Sequence, residues 1–524
     1  MTEATSRRDF LRYGVLLGAG ATLGGGLLAG CSRDAPPAAA SAAALANEKP
    51  RQGGRLRLGI VDGSQSGNLD VHKPVGSGII RGFALYSKLW EWNERMTPEL
   101  ALAEEVSINA NASAWTIRLR KGLEFHHGKT ITADDLIFSA RRLSDPQLAS
   151  PYASLVQRID RDNIVKLDEY TVRIPIKDGL GFLPLPDGWV NFGGIVPSDY
   201  HPVTNPVGAG PYKLKEFTPG QRSLFTRFNN YFKPGKPYAD ELEIIEFKDQ
   251  TSRVAALLAG QIDTAYAITP EQIVPLRANG GAAVQISHTH GWQGFEMNLD
   301  AEPFRDVRVR QAFRLLANRQ ELVARALGGQ GRVANDLYSP LDPTFNHGIA
   351  QRAYDLDQAK SLLRSAGKTD LRLELAAGPG GSAAAQVFAN QAKLAGVDIR
   401  VKQVDAATYN GPLRDSWTMS TTARLGGEFL HTATNTDSAL AATNKTHFND
   451  ARFNALFEQA LGETDVEKRK VLVHEAQQIQ HDRGGLLIWG FADTVDGIAS
   501  RVGGAKPERS HFSTWRFDEL WLRS

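Results

Sequence analysis

Two pairs of histidines are the first side chains whose spacing suggests chemistry. His288 and His290 stand two residues apart, which on a strand sends both imidazoles to one side, and His126-His127 is a second pair. Neither pair has a further cluster of ligands beside it, so no metal site is expected. Gly63-Ser-Gln-Ser-Gly67 has the outline of a nucleophile elbow, but Gln65 stands where the serine would be. Gly378-Pro-Gly-Gly-Ser382 follows an expected strand and precedes an expected helix, as phosphate loops do. It lacks the Gly-Lys-Ser/Thr ending and reads as an ordinary turn. Cys31 is the only cysteine in 524 residues, and its position beside a leader-like segment argues for acylation rather than catalysis. No catalytic constellation emerges, so neither an enzyme nor a cofactor is expected.

Cys31 closes Leu28-Ala29-Gly30-Cys31, which resembles a bacterial lipobox. Ser6-Arg7-Arg8-Asp9-Phe10-Leu11-Arg12 ahead of it resembles a twin-arginine (Tat) export signal. The stretch between them is rich in glycine and makes a poor span of a hydrocarbon core about 30 Å thick. Residues 1–30 are therefore expected to be a Tat-type lipoprotein signal peptide. Lipidated Cys31 would then hold the exported chain at the membrane in the periplasm. Residues 31–52, rich in Ala and Pro, read as a flexible tether. With one cysteine no internal disulfide can form, so stability must come from the core. A balance of 60 basic and 58 acidic residues, net +2, carries no basic tract with interleaved aromatics, which excludes nucleic acid as a partner.

Beyond Gly53 the pattern is mixed α/β. Arg55 to Val61 and Trp115 to Arg120 alternate with the period of half-buried strands. Thr132 to Leu143 has helical spacing, with Thr132 as N-cap and acids in the first turn. Helices are also expected at Val307 to Leu327, Leu356 to Ala366, Ala383 to Leu394, Arg452 to Leu461 and Val466 to Arg483. Further strands are expected at Tyr212 to Phe217, Leu242 to Phe247, Leu371 to Ala376 and Ile399 to Val404. The arginines of Val307-Arg-Val-Arg-Gln-Ala-Phe313 are expected on a wet face or paired with carboxylates.

The segment Ala114 to Asp135 resembles the signature of the peptide-type (family 5) extracellular solute-binding proteins of ABC importers, a group of dipeptide- and oligopeptide-binding lipoproteins. Five further blocks agree in order: Gly208-Ala-Gly-Pro-Tyr-Lys-Leu214, Leu257-Leu-Ala-Gly-Gln-Ile-Asp263, Pro303 to Ala312, Asp357 to Gly367, and Arg452 to Ala460. The resemblance implies a two-lobed α/β clamp of the periplasmic-binding-protein type (class II-like, peptide-binding subclass) with an additional domain. Lobe I would comprise 53–85, 197–290 and 484–524, the additional domain 86–196, and lobe II 291–483. It also implies a monomer that captures a dipeptide, oligopeptide or opine-like amino-acid derivative and delivers it to a membrane permease and ATPase. The alternatives are an exported solute sensor or chaperone on the same fold and, more weakly, a binder of nickel or another metal complex or a hydrolase.

The family's site residues carry over to particular positions. Val75-Gly76-Ser77 falls on its ligand-contacting strand, where Gly76 would permit close approach. Tyr152 matches a cleft-facing tyrosine. Trp292 stands where the chain crosses between lobes and would wall the cleft. The family's Gly-Trp-x-x-Asp segment, whose acid pairs with a peptide α-ammonium, is replaced by Ala423-Arg424-Leu425-Gly426-Gly427-Glu428. Glu428 would supply the carboxylate after a shift of one residue. Arg424 would instead offer a bidentate fork to a ligand carboxylate, or form an interlobe ion pair. This departure points away from ordinary oligopeptides and toward a dipeptide or a modified amino acid.

Overall fold

The computed structural model describes residues 48–61, 67–278 and 280–523. Arg7, Arg8, Cys31, most of the expected tether and Gln65 lie outside the described residues. From Lys49 onward the chain forms one contact unit. No helix among the described residues is long and apolar enough to cross a membrane.

Alternation fixes the first strand. Arg55–Val61 buries Leu56, Leu58 and Ile60 and turns its arginines outward, where Arg55 and Arg57 meet Glu241 and Asp263. It pairs in parallel with Glu241–Phe247 and Thr264–Ala265. Gly59 leaves room there for packed side chains, since a Cβ would lie 2.3 Å from Cδ1 of Ile262 and force it to move. A second parallel set, Arg372–Ala377 with Asp398–Gln403 and Met419–Arg424, stands at the other end of the same 11-stranded sheet. Two long antiparallel strands join these ends, a first crossing strand Ala282–Met297 and a second, Leu486–Ala499. The buried apolar residues separate accordingly. A smaller cluster contains Phe295, Met297, Phe313, Phe388, Met419, Leu487 and Trp489, while a larger one takes in the rest of the long sheet and the segment 86–196. That segment carries its own four-stranded antiparallel sheet, formed by Ala103–Ile108, Ala114–Leu119, Thr171–Pro175 and Val165–Lys166.

Thr132 is the N-cap of Ala133–Leu143, and Asp135 reaches back to accept its backbone N–H at 3.0 Å. Val466–Arg483 forms with the expected bounds. The single helix expected over Val307 to Leu327 is instead two, Val307–Leu316 and Arg319–Ala326. Asn318 breaks it, because its side chain caps the second helix at Glu321 N (3.1 Å) while its own N–H turns to Gln391 Oε1 (3.1 Å). The arginines of the first helix also depart in part from expectation. Arg308 pairs with Asp306, but Arg310 and Arg314 are buried and donate to backbone carbonyls, among them Arg483 O (2.8 Å), Gly484 O (2.6 Å) and Leu486 O (3.0 Å). They tie the helix to the start of the second crossing strand.

Candidate functional site

Two distant stretches of chain face each other across a cavity of about 270 Å³. One wall comes from Trp92, Met96, Pro151, Tyr152 and Asn191, and the other from Ala423 to Gly426, the helix Phe429–Thr436 and Thr443. A chain of hydrogen bonds holds the first wall. Trp92 Nε1 donates to Asn191 Oδ1 at 2.9 Å, and Asn191 Nδ2 donates to the Tyr152 hydroxyl at 3.1 Å. The Tyr152 ring meets Phe192 edge to face at 4.2 Å, and burial raises its hydroxyl above the ordinary value. The opposing helix presents His431, Thr432, Asn435 and Thr436 on one side, spaced as one helical face. His431 Nδ1 lies 3.0 Å from Asp187 Oδ1, which joins the two walls across 244 residues of sequence.

Arg424 lies on the cavity wall at the end of Met419–Arg424. Its Nη2 is 3.5 Å from Oε1 of buried Glu296, an acid also held by Ser420 Oγ at 3.0 Å and approached by Lys445 at 3.9 Å. An ion pair and a cavity position thus coincide in one residue. At this length the pair leaves the guanidinium fork free to engage a carboxylate. Glu428 is half-buried one turn from the cavity residues, as N-cap of the opposing helix, yet it does no capping. Asp342 takes that role, accepting Phe429 N at 2.6 Å. Burial, followed by the charges of Asp187 and Asp342, pushes the Glu428 carboxyl up to about 8, while Arg469 acts in the opposite direction.

The structure brings Tyr152 and Arg424 onto one cavity, keeps Glu428 beside it, buries Trp292 behind Arg424 and places Gly76 and Ser77 elsewhere. Val75 to Ser77 is not a strand. Gly76 takes a left-handed φ of 54° and Ser77 is the N-cap of the helix Gly78–Leu85, with both residues on a different cavity beside Arg253, Tyr266 and Trp515. Trp292 does not wall the cleft. It is fully buried, directly opposite Arg424 in register, with its ring 6.1 Å from that of Tyr338 in a stacked arrangement. His288 and His290 do not share a side, because an irregularity between Ser287 and Gly291 breaks the alternation. His288 is exposed and pairs with Asp493, whereas His290 is buried and held neutral at about 4. Among the described residues no group of three or more metal-ligating side chains gathers. Trp92, Asn191, His431 and Asp187 escaped the sequence reading. The one local signal for them was the polar face of Phe429–Thr436.

Residues 97–447 match the family described as bacterial extracellular solute-binding proteins, family 5 Middle. Di/tripeptide-binding protein 2 of Pseudomonas aeruginosa is 28% identical over 432 residues, which cover 73% of this chain and 79% of that protein. Among solved structures, the binding protein AgaA of A. tumefaciens R10 in complex with agropinic acid superposes with a TM-score of 0.79 at 21% identity, covering 90% of this chain and 99% of that one. DppA of Helicobacter pylori in complex with the peptide STSA gives the same TM-score, identity and coverage. The multi-domain α/β fold is therefore that of the periplasmic binding proteins, and the matched span is more than half of the sequence. The chain belongs to the bacterial extracellular solute-binding proteins of family 5.

Proposed function

We propose that this chain is the substrate-binding component of an ABC importer and that its cargo is a dipeptide or an opine-like amino-acid derivative, taken up in the periplasm. The observation that carries the reading is the cavity itself, where the Arg424 fork faces Tyr152, Asn191 and the His431–Asp187 pair. A cationic fork for a carboxylate and the neutral Tyr152, Asn191, Thr432 and Asn435 for further polar atoms, with Asp187 held behind His431, suit an amino-acid-derived ligand. The volume of about 270 Å³ lies just below the roughly 300–1,000 Å³ of small-molecule sites, which favours short ligands over long peptides. The Pseudomonas relative is named for di- and tripeptides and the A. tumefaciens structure holds agropinic acid, which supports a short ligand.

The mechanism is closure without bond cleavage. Lobe I (53–85, 197–290, 484–524) and lobe II (291–483), with 86–196 inserted, would move about the two crossing strands, and a ligand bridging both would shift the population to the closed form. A panel of dipeptides, tripeptides and opines screened by thermal shift should contain a ligand that raises Tm, since binding to the native state alone stabilises by RT ln(1 + [L]/Kd). The shift should shrink with Arg424→Ala. A flat response across the panel from well-folded protein would reject this cargo.

Export through the twin arginines Arg7 and Arg8, and tethering of a monomer through lipidated Cys31, complete the reading. Cys31→Ser should release the protein from the membrane fraction into the soluble periplasm. Retention in the membrane would remove the anchor.

A further inference from the structure

Glu296 is a buried acid between two cations, and neither closes on it. It stands on the first crossing strand, opposite Ser420 in register, and is 3% exposed. Ser420 Oγ donates to its Oε2 at 3.0 Å. Arg424, four residues beyond Ser420 on the same strand, brings Nη2 to 3.5 Å from Oε1, and Lys445 brings Nζ to 3.9 Å from Oε2. Both distances are long for charge-assisted hydrogen bonds, which run at about 2.7–2.9 Å. Each carboxylate oxygen thus has a cation in reach that it does not hold.

Lys445 has a seat of its own. Its side chain is 9% exposed, and Nζ lies over the ring of Tyr409, 3.8 Å from the centroid. The Tyr409 hydroxyl donates to Thr421 O, on the strand that carries Arg424, which fixes that ring. The other acid that acts on Lys445 is Asp415, and it pairs with Arg414 at 3.2 Å. Burial lowers the Lys445 ammonium, Glu296 opposes this, and Arg424 adds to it, so the two cations act on each other around one acid. Arg424 lines the solute cavity and Lys445 does not. A buried carboxylate that loses its sole cation is strongly destabilised, whereas one with a second cation in reach is not. We propose that Lys445 is the alternate counter-ion of Glu296: when a ligand carboxylate engages Arg424, the guanidinium leaves Glu296 and the Lys445 ammonium closes onto Oε2. This rests on the solute-binding reading above and deepens it. Lys445 is then a positioning residue, which acts on the ligand through Arg424 and does not touch it.

Melting of the purified, ligand-free full chain at pH 8 tests whether the two cations are interchangeable. Lys445→Met and Arg424→Met keep the stems and each leave Glu296 one cation, so each should lower Tm by about a degree or two. The double variant should fall by far more than the sum, and Glu296→Gln added to it should restore most of the loss. Additive shifts would overturn the proposal. Calorimetric titration with alanyl-alanine and with its C-terminal amide is the second measurement. Lys445→Met should weaken the free acid about ten- to a hundredfold and leave the amide as it is. Glu296→Gln in the same chain should recover that loss, because Arg424 then has no acid to hold it back. A loss that Glu296→Gln does not recover would make Lys445 a ligand contact or a packing residue, and an unchanged affinity in Lys445→Met would make it a bystander. Either result overturns the exchange and leaves the solute-binding reading standing. No heat from alanyl-alanine with the parent would instead remove this dipeptide as cargo, and the additivity of the melting shifts would then decide the role of Lys445 alone.

Discussion

Asp336→Ala is expected to destabilise the fold by about 3–5 kcal/mol, a large share of the roughly 5–15 kcal/mol that holds a native protein together. Asp336 is buried and receives two guanidinium groups. Arg319 Nη2 donates to both of its oxygens at 2.7 and 2.8 Å, and Arg352 Nε reaches Oδ2 at 2.8 Å. Arg319 is itself almost wholly buried and begins the helix Arg319–Ala326. The backbone N–H of Asp336 donates to Ile488 O on the second crossing strand. Removing the carboxylate leaves Arg319 charged in a medium that cannot solvate it and loosens Arg352 from the same point. Burial raises the Asp336 carboxyl, but the charges of Arg319, Arg314 and Arg352 outweigh it and hold the group below the ordinary value, which marks the ionised form as the one the site is built around. Urea unfolding measures the effect as a fall in midpoint. Arg452→Ala is the control, because its bidentate pair with Glu475 is exposed on both sides and should leave the midpoint where it is. Equal midpoints for Asp336→Ala and the parent would show that the cluster contributes no net stability.

The difference between those two arginine sites explains what the sequence could reveal. Periodicity is a local property, so Arg55–Val61 and Val466–Arg483 appear with the expected bounds, and a local cap places the start of Ala133–Leu143. Failures arise where a distant partner overrides the local pattern. Val307 to Leu327 has an unbroken helical pattern, yet Gln391 draws the Asn318 N–H out of the helix. His288 and His290 have strand spacing, yet the irregularity beside Gly291 sends one to solvent and the other to the core. A Cβ on Gly291 would lie 2.7 Å from the His511 ring, so the room at this position is set by a residue 220 positions away. The site follows the same rule. Tyr152 and Arg424 were legible through the family resemblance of their segments. The burial of Trp292 depends on Tyr338, and the link from Asp187 to His431 has no expression in either segment alone.

Glu428→Gln is expected to remove a pH dependence from both stability and binding. The folded protein holds this carboxyl at about 8, against 4.5 for the ordinary group, because burial and the nearby Asp187 and Asp342 disfavour the anion. In the unfolded chain the group ionises near 4.5. Below that pH both states are protonated, and between about 4.5 and 8 the unfolded state alone gives up the proton. Stability therefore falls as pH rises through this window and levels off above it. Asp437 and Asp496, each raised to about 6 by burial, act in the same direction but are retained in the variant. The difference in Tm between Glu428→Gln and the parent isolates Glu428: near zero at pH 4, it should grow to several degrees in favour of the variant by pH 9. Binding has the opposite sign. A ligand ammonium beside Glu428 favours the anion, so its affinity should rise with pH up to about 8 as binding expels the proton. Titrations in buffers of different ionisation enthalpy would register that proton. An N-acetylated ligand should show neither the slope nor the proton, and Glu428→Gln should lose both for the free amine. A parent slope that survives in Glu428→Gln would assign the titration to another group, and a slope absent from the parent would place the ligand's amine away from Glu428.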